Sequence, residues 1–288
     1  MQKLRLLLSL GACLLSLRAA AQQFAGTITD ARTGQGIPFA NVGVLGKSLG
    51  TVSGEQGSYH LTYQAALAAD TVRISSLGYQ PRQVLLRQLL AQPNVALAPT
   101  AVGLGEVSVQ AKNPLRRART LGFTKGDGNT TVNFHSQDYG AEVGTRIQLR
   151  HQPTLVQSAT FCLAKNQAGK LTFRVNIYRV DADGKPTNVK LLTHDIIVTT
   201  EVTHGSVVVD LSAEKLVLQE DFFLALEWIK GSDATQLAAG LSLAGGLGYA
   251  DNDLYFRQVS QAKWERASIG ALLLGMQPKL AFFVNVKD

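Results

Sequence analysis

Disulfide-forming cysteine is nearly missing from this chain: of 288 residues only Cys13 and Cys162 are cysteines. Cys13 falls in a leader-like segment, so a chain that has lost its leader keeps one thiol and has no internal disulfide. Stability then has to come from packing. Cys162 sits in the alternating run Ala159-Thr160-Phe161-Cys162-Leu163, where a small buried thiol on a strand is the simplest expectation. Past the leader no apolar run approaches the roughly 18 residues a membrane helix needs, so no transmembrane segment is expected in the mature chain. Sustained 3.6-residue periodicity is lacking as well, which argues against a helical bundle. Charge is sparse, with 17% of residues charged against 45% hydrophobic. The net charge of +7 includes Lys3, Arg5 and Arg18, and without the first 21 residues it falls to +4. Beyond Arg116-Arg117-Ala118-Arg119, read as a solvated linker cluster, no basic run remains. Nucleic acid is therefore not an expected partner.

The first 21 residues have the parts of a secretory leader. Lys3 and Arg5 supply a positive start, Leu6 to Leu17 an apolar centre, and Ala19-Ala20-Ala21 a small-residue cleavage site. Cleavage there would leave Gln22 first. Leu10-Gly11-Ala12-Cys13 also fits a lipobox, with lipidation at Cys13 as the alternative. Either route exports the protein to the periplasm, the outer membrane or the exterior.

From Phe24 onward, short β-branched runs alternate with Gly, Pro, Asn and Asp, the pattern of an all-β sandwich protein. Seven or eight runs fall between residues 22 and 110, including Ser58–Tyr63, Thr71–Leu77 and Gln83–Arg87. Residues 111–129 hold Pro114, the Arg cluster and three glycines with little alternation, and read as a linker. Ten more runs between 130 and 288 predict a larger sandwich of jelly-roll type. The two halves are expected to fold independently. Within the second, Phe173-Arg174-Val175-Asn176-Ile177-Tyr178-Arg179 alternates apolar and polar residues, which predicts one inward face and one wet face. Phe222-Phe223-Leu224-Ala225-Leu226-Glu227-Trp228-Ile229 is almost wholly apolar, as expected of a central strand covered on both sides.

Four ordered motifs in the first half resemble the carboxypeptidase regulatory-like domain: Gly26-Thr27-Ile28-Thr29-Asp30, Gly36-Ile37-Pro38-Phe39-Ala40-Asn41-Val42, Gly50-Thr51-Val52-Ser53 with Gly57-Ser58-Tyr59, and Ile74-Ser75-Ser76-Leu77-Gly78-Tyr79. The resemblance spans about residues 23–98. It implies a transthyretin-like, seven-stranded Greek-key sandwich of the kind that precedes receptors and other envelope proteins in Bacteroidetes-type bacteria. Such a domain carries no zinc ligands and implies a module for positioning or partner contact. Gly36 and Gly57 suit turns with positive φ, Pro38 a strand start or edge, and Tyr59 and Tyr79 packing on the sandwich. Gly54 departs from the Asp or Asn usual after the third motif. The second half resembles, more weakly, a jelly-roll region that accompanies such modules.

Motifs for catalysis are thin. Gly46-Lys47-Ser48-Leu49-Gly50 fits G-x-S-x-G, but it joins two strands where a nucleophile elbow needs a following helix. The histidines His60, His135, His151, His194 and His204 form no ligand pair on one strand face. Asp181-Ala182-Asp183-Gly184 opens like a calcium loop but lacks the distal ligands, so neither a metal nor another cofactor is expected. One cluster mixes aromatics with planar hydrogen-bonding groups, namely Tyr249, Asp251, Asn252, Asp253, Tyr255, Arg257 and Trp264. It is the candidate for sugar binding, although ordinary sandwich packing between loops is the favoured reading of Tyr255 and Trp264. The sequence thus predicts a non-catalytic, exported envelope protein that binds or displays an envelope partner or glycan. The alternative is a glycan-active hydrolase with paired carboxylates in the second half.

Overall fold

The computed structural model describes residues 22–100, 115–126, 129–135, 139–167, 169–230, 240–249, 253–267 and 276–288. The expected leader, the run at 106–110 and the Pro114 part of the expected linker lie outside these residues. The chain is all-β, as its turn-punctuated alternation predicts.

Seven strands build the first sandwich: β1 (Gln22–Asp30), β2 (Asn41–Val44), β3 (Gly50–Val52), β4 (Ser58–Tyr63), β5 (Thr71–Ser75), β6 (Arg82–Leu85) and β7 (Val95–Leu97). They form one sheet in the order β4-β1-β7 and another in the order β3-β2-β5-β6. Ile28, Val42, Val44, Leu61, Val72 and Ile74 close its core. The run read as a strand at 83–87 ends early, because Leu86–Ala91 is a helix, α1, that buries Leu86 and Leu89. Leu86 and Leu89, three apart, would point to opposite faces of a strand, whereas the helix keeps both on one face.

The motif residues explain the local shape. Gly57 adopts φ 77, as predicted, and a Cβ there would lie 2.3 Å from the Ile28 carbonyl oxygen. Gly36 is required for a different reason from the one predicted. It does not take a positive φ, but a Cβ on it would meet the Gln56 carbonyl at 2.1 Å, so close backbone approach selects glycine. Tyr59 is buried and donates from its hydroxyl to the Pro93 carbonyl at 2.7 Å, and burial pushes its pKa up to about 12. Tyr79 donates to Asp30, whose carboxylate also accepts the Thr33 and Arg32 amides and is held below the usual range by them.

The second half contains β8 (Ala118–Gly122), β9 (Thr131–Phe134), β10 (Glu142–Ile147), β11 (Thr154–Asn166), β12 (Leu171–Val180), β13 (Pro186–Lys190), β14 (Ile196–Thr200) and β15 (Gly205–Asp210). It continues with β16 (Val217–Leu218), β17 (Phe222–Lys230), β18 (Leu241–Gly248), β19 (Leu254–Arg257), β20 (Glu265–Arg266), β21 (Gln277–Leu280) and β22 (Phe282–Lys287). β8 lies inside the expected linker. It pairs with β22, and Arg119 binds the Asp288 carboxylate at 2.8 Å, so part of the basic cluster is sheet and not solvated linker. A seven-stranded sheet runs β13-β12-β17-β10-β19-β20, with β14 on β12, and an eight-stranded sheet runs β21-β18-β11-β22-β8, with further strands on β11 and β18. Between them lie Phe161, Phe173, Val175, Ile177, Leu224, Leu226, Trp228 and Phe282. Cys162 is half-buried, with its Sγ 3.4 Å from the Ser206 hydroxyl.

β17 is the doubly covered central strand the sequence predicts, between β12 and β10, with Phe222 to Ile229 all buried. Its inner residues, Phe222, Leu224, Leu226 and Trp228, face the eight-stranded sheet. The other face is where expectation and structure part. The polar side of β12, predicted to be wet, is sealed: Arg174 and Asn176 are each 1% exposed. The first sandwich reaches it through the Phe39 carbonyl and Asn41, which contact Arg174, and is joined to the segment around Val259 to Lys263 by Gly46 N–H donating to the Gln261 carbonyl at 2.9 Å. A Cβ on Gly43 would likewise lie 2.9 Å from the Gln261 side chain.

Candidate functional site

The covered face carries a buried ionic network that draws residues from β10, β12, β17 and β19 into one layer. Antiparallel register sets Glu142 opposite both Glu227 and Arg257, and Arg174 opposite Glu227. Arg257 clamps Glu142 Oε1 from Nε at 3.0 Å and from Nη2 at 2.6 Å. The other oxygen of Glu142 accepts from Tyr178 at 2.8 Å. Arg174 Nη1 donates to Glu227 Oε2 at 2.7 Å, and its Nε lies 3.1 Å from Asp195. Asn176 Nδ2 spans the two glutamates, at 3.1 Å from Glu142 and 2.9 Å from Glu227.

The first sandwich completes this network. The Phe39 carbonyl accepts from Arg174 Nη2. Asn41, its amide oriented by its neighbours, donates to Glu227 Oε1 at 2.8 Å and accepts from Arg174 Nη1 at 3.0 Å. Local chemistry aims both groups. The buried Ser53 hydroxyl donates to the Ile37 carbonyl at 2.9 Å and accepts the Ala40 amide at 2.8 Å, pinning the turn in which Phe39 takes φ 55. Ser53→Ala should therefore cost about 1–3 kcal/mol, as expected for buried partners left unpaired, read as a lowered denaturation midpoint.

Burial splits the two glutamates. Withdrawal from water pushes Glu142 up, only partly opposed by Arg257, and the neighbouring Glu227 charge adds to the rise. The same withdrawal raises Glu227, but Arg174 and Lys190 outweigh it and leave its carboxyl below the usual value. Burial lowers Arg174, yet Glu227 and Asp195 reverse this and raise it. Lys190 is lowered, first by burial and then by Arg174, against the pull of Asp195.

A cleft of about 270 Å³ opens beside this network at the junction of the two halves. Arg73, Ser75, Ser76 and Tyr79 line it from the first sandwich, and Asn188, Lys190, Asp195 and Arg257 are among its residues from the second.

The sequence-predicted cluster is divided by the structure. Asp251 and Asn252 lie outside the described residues. Tyr249 is exposed, and Asp253 precedes β19, where its carbonyl accepts the Arg146 amide at 3.2 Å. Tyr255 and Trp264 pack together against Phe223 with ring centroids 6.0 and 5.0 Å from it. The Arg257 guanidinium covers the Trp264 ring at 4.1 Å, and that of Arg266 covers Tyr255 at 5.3 Å. These rings form a packing pile under cationic lids, not an open platform. Of the five described members, Arg257 alone lines the cleft. Sequence reasoning missed Glu142, Arg174, Asn176, Tyr178, Lys190, Asp195 and Glu227. A glutamate inside the apolar run 222–229 was the one available signal.

The other motifs resolve into turns. Lys47 of the G-x-S-x-G match pairs with Asp70 at 2.7 Å in the β2–β3 hairpin. Asp181 accepts the Asp183 and Lys185 amides in the β12–β13 turn. Among the described residues no group of three or more His, Cys, Asp or Glu is placed to hold a metal ion. No helix among them is long and apolar enough to cross a membrane.

Residues 24–109 match the family model for the CarboxypepD_reg-like domain, so the first sandwich is a domain of that family, as its four motifs imply. No curated protein matches the chain. Among solved structures it is similar to the clostridial cysteine protease Cwp84 after propeptide cleavage, at 10% identity and TM-score 0.40, over 59% of this chain and 40% of that one. It is also similar to the cysteine protease and lectin-like domains of Cwp84, a surface layer associated protein of Clostridium difficile, at 14% identity and TM-score 0.38, over 57% and 37%. A third, infectious bursal disease virus Gx strain, has 13% identity and TM-score 0.30, over 93% and 79%. The chain thus spans about 40% of the length of the first of these.

Proposed function

We propose that this is a non-catalytic, exported cell-envelope protein in which a CarboxypepD_reg-like domain and a larger sandwich together bind and display an envelope partner or glycan. The observation that carries this reading is the fate of the paired carboxylates. Glu142 and Glu227 are each 0% exposed, and each is neutralised by a buried arginine. A glycoside hydrolase needs one carboxyl free to deliver a proton and another to act on water or the sugar. Carboxylates locked in this way serve cohesion, and the solvent-facing feature beside them is a cleft suited to binding.

Two assays on the full chain test the reading. It should bind a glycan on an array or retain an envelope protein from its source, while releasing no reducing sugar from a polysaccharide panel. Sugar release abolished by Glu142→Gln would establish the hydrolase instead. Fractionation should place the protein in the cell envelope or outside the cell, and a cytoplasmic pool would contradict export.

A further inference from the structure

The charges around the cleft do not balance. Four cations, Arg73, Arg174, Lys190 and Arg257, face three acids, Glu142, Asp195 and Glu227. Arg257 is consumed by Glu142 and Arg174 by Glu227. The Asp195 Oδ1 atom lies 3.1 Å from Arg174 Nε and 3.8 Å from Lys190 without a hydrogen bond to either, so Lys190 has no close acid of its own. Arg73 on β5 has a buried Nε with no hydrogen-bond partner. A buried, unsatisfied guanidinium nitrogen is costly unless something fills its place, and the partner it fits best is a carboxylate.

The rest of the lining narrows the ligand. Ser75, Ser76, Asn188 and Gln261 are neutral groups that both donate and accept hydrogen bonds, which matches hydroxyls better than an apolar or purely anionic surface. The volume, about 270 Å³, sits just under the ~300–1,000 Å³ of pockets for drug-sized ligands, and suits one ring more than an extended chain.

We propose that the cleft between the two sandwiches binds a terminal uronate unit of a glycan, its carboxylate received by Arg73 and Lys190 and its hydroxyls by the neutral wall. Asp195 opposes any anion here, and the Arg174 guanidinium 3.1 Å from its Oδ1 offsets part of that opposition. The inference rests on the binding function proposed above and names its ligand class.

Calorimetric titration of the full chain with glucuronate, glucose and acetate tests it. Glucuronate should bind one to one, at least about ten-fold tighter than either glucose or acetate, the difference one charge-assisted hydrogen bond supplies. Arg73→Gln should weaken glucuronate by a similar factor, with Arg73→Lys intermediate. Because Arg73 Nε has no hydrogen-bond partner among the described residues, its replacement should leave the melting temperature unchanged. Equal binding of glucose and glucuronate would overturn the proposal without recourse to any variant. So would acetate matching glucuronate, which would mark a bare carboxylate site, or undiminished binding by Arg73→Gln. Neutral glycans bound on the array with no response to glucuronate would remove this site and leave the binding function standing. An empty array together with no retained envelope protein would remove both.

Discussion

Arg174→Met should destabilise the protein by about 3–5 kcal/mol, the cost of breaking a buried ion pair and stranding its partner. Glu227, Asp195, the Phe39 carbonyl and Asn41 all lose the guanidinium that joins them. Methionine fills most of the volume, so the loss is chiefly electrostatic. The two sandwiches should also separate thermally: calorimetry would show one transition for the parent chain and two for the variant, because each half keeps its own apolar core. A variant that melts in one transition within about 1 kcal/mol of the parent would show that docking does not depend on this arginine.

Arg257→Met should produce a loss of comparable size at neutral pH that shrinks in acid. Burial already holds the Glu142 carboxyl above its ordinary value, and Arg257 is the main group pulling it down. Without that arginine its folded pKa rises further. A carboxyl whose folded pKa exceeds its unfolded value, roughly 4, favours the folded state when protonated. The stability of the variant should therefore fall as pH rises from about 4 through the folded pKa, beyond which the penalty is complete. Denaturant titrations of parent and variant at pH 5 and pH 8 would show a smaller gap at pH 5. An equal gap at both would mean that Glu142 is not the group left exposed to the penalty.

Both predictions concern residues whose roles the sequence half reveals. The motifs from Gly26 to Tyr79 name the first sandwich outright, since each reflects a local demand such as the close approach at Gly36 and Gly57. Apolar alternation likewise exposes the inner face of β12, and the unbroken apolar run 222–229 the centrality of β17. The same alternation misleads about Arg174 and Asn176, because a polar residue facing water and one facing a buried partner have identical periodicity. What decides between them is a surface contributed by Phe39 and Asn41, more than 130 residues earlier in the chain.

The predicted aromatic cluster is divided for a related reason. Tyr255, Arg257 and Trp264 are close in sequence and in space, but Phe223 and the guanidinium groups of Arg257 and Arg266 occupy their rings. Proximity along the chain cannot report which ring faces are taken. Nor can it report that Arg73 and Lys190 line one cleft, since they come from different sandwiches.

The distance between the halves is the most direct measure of whether they do. Spin labels at Gln83→Cys on β6 and Val208→Cys on β15, both exposed, with Cys162→Ser in the chain starting at Gln22, allow it to be read by pulsed electron resonance. A sealed ionic layer predicts one narrow distance distribution that broadens when Arg174→Met is added. A distribution already broad in the parent, and unmoved by that substitution, would mean that the halves swing freely and that no fixed cleft lies between them.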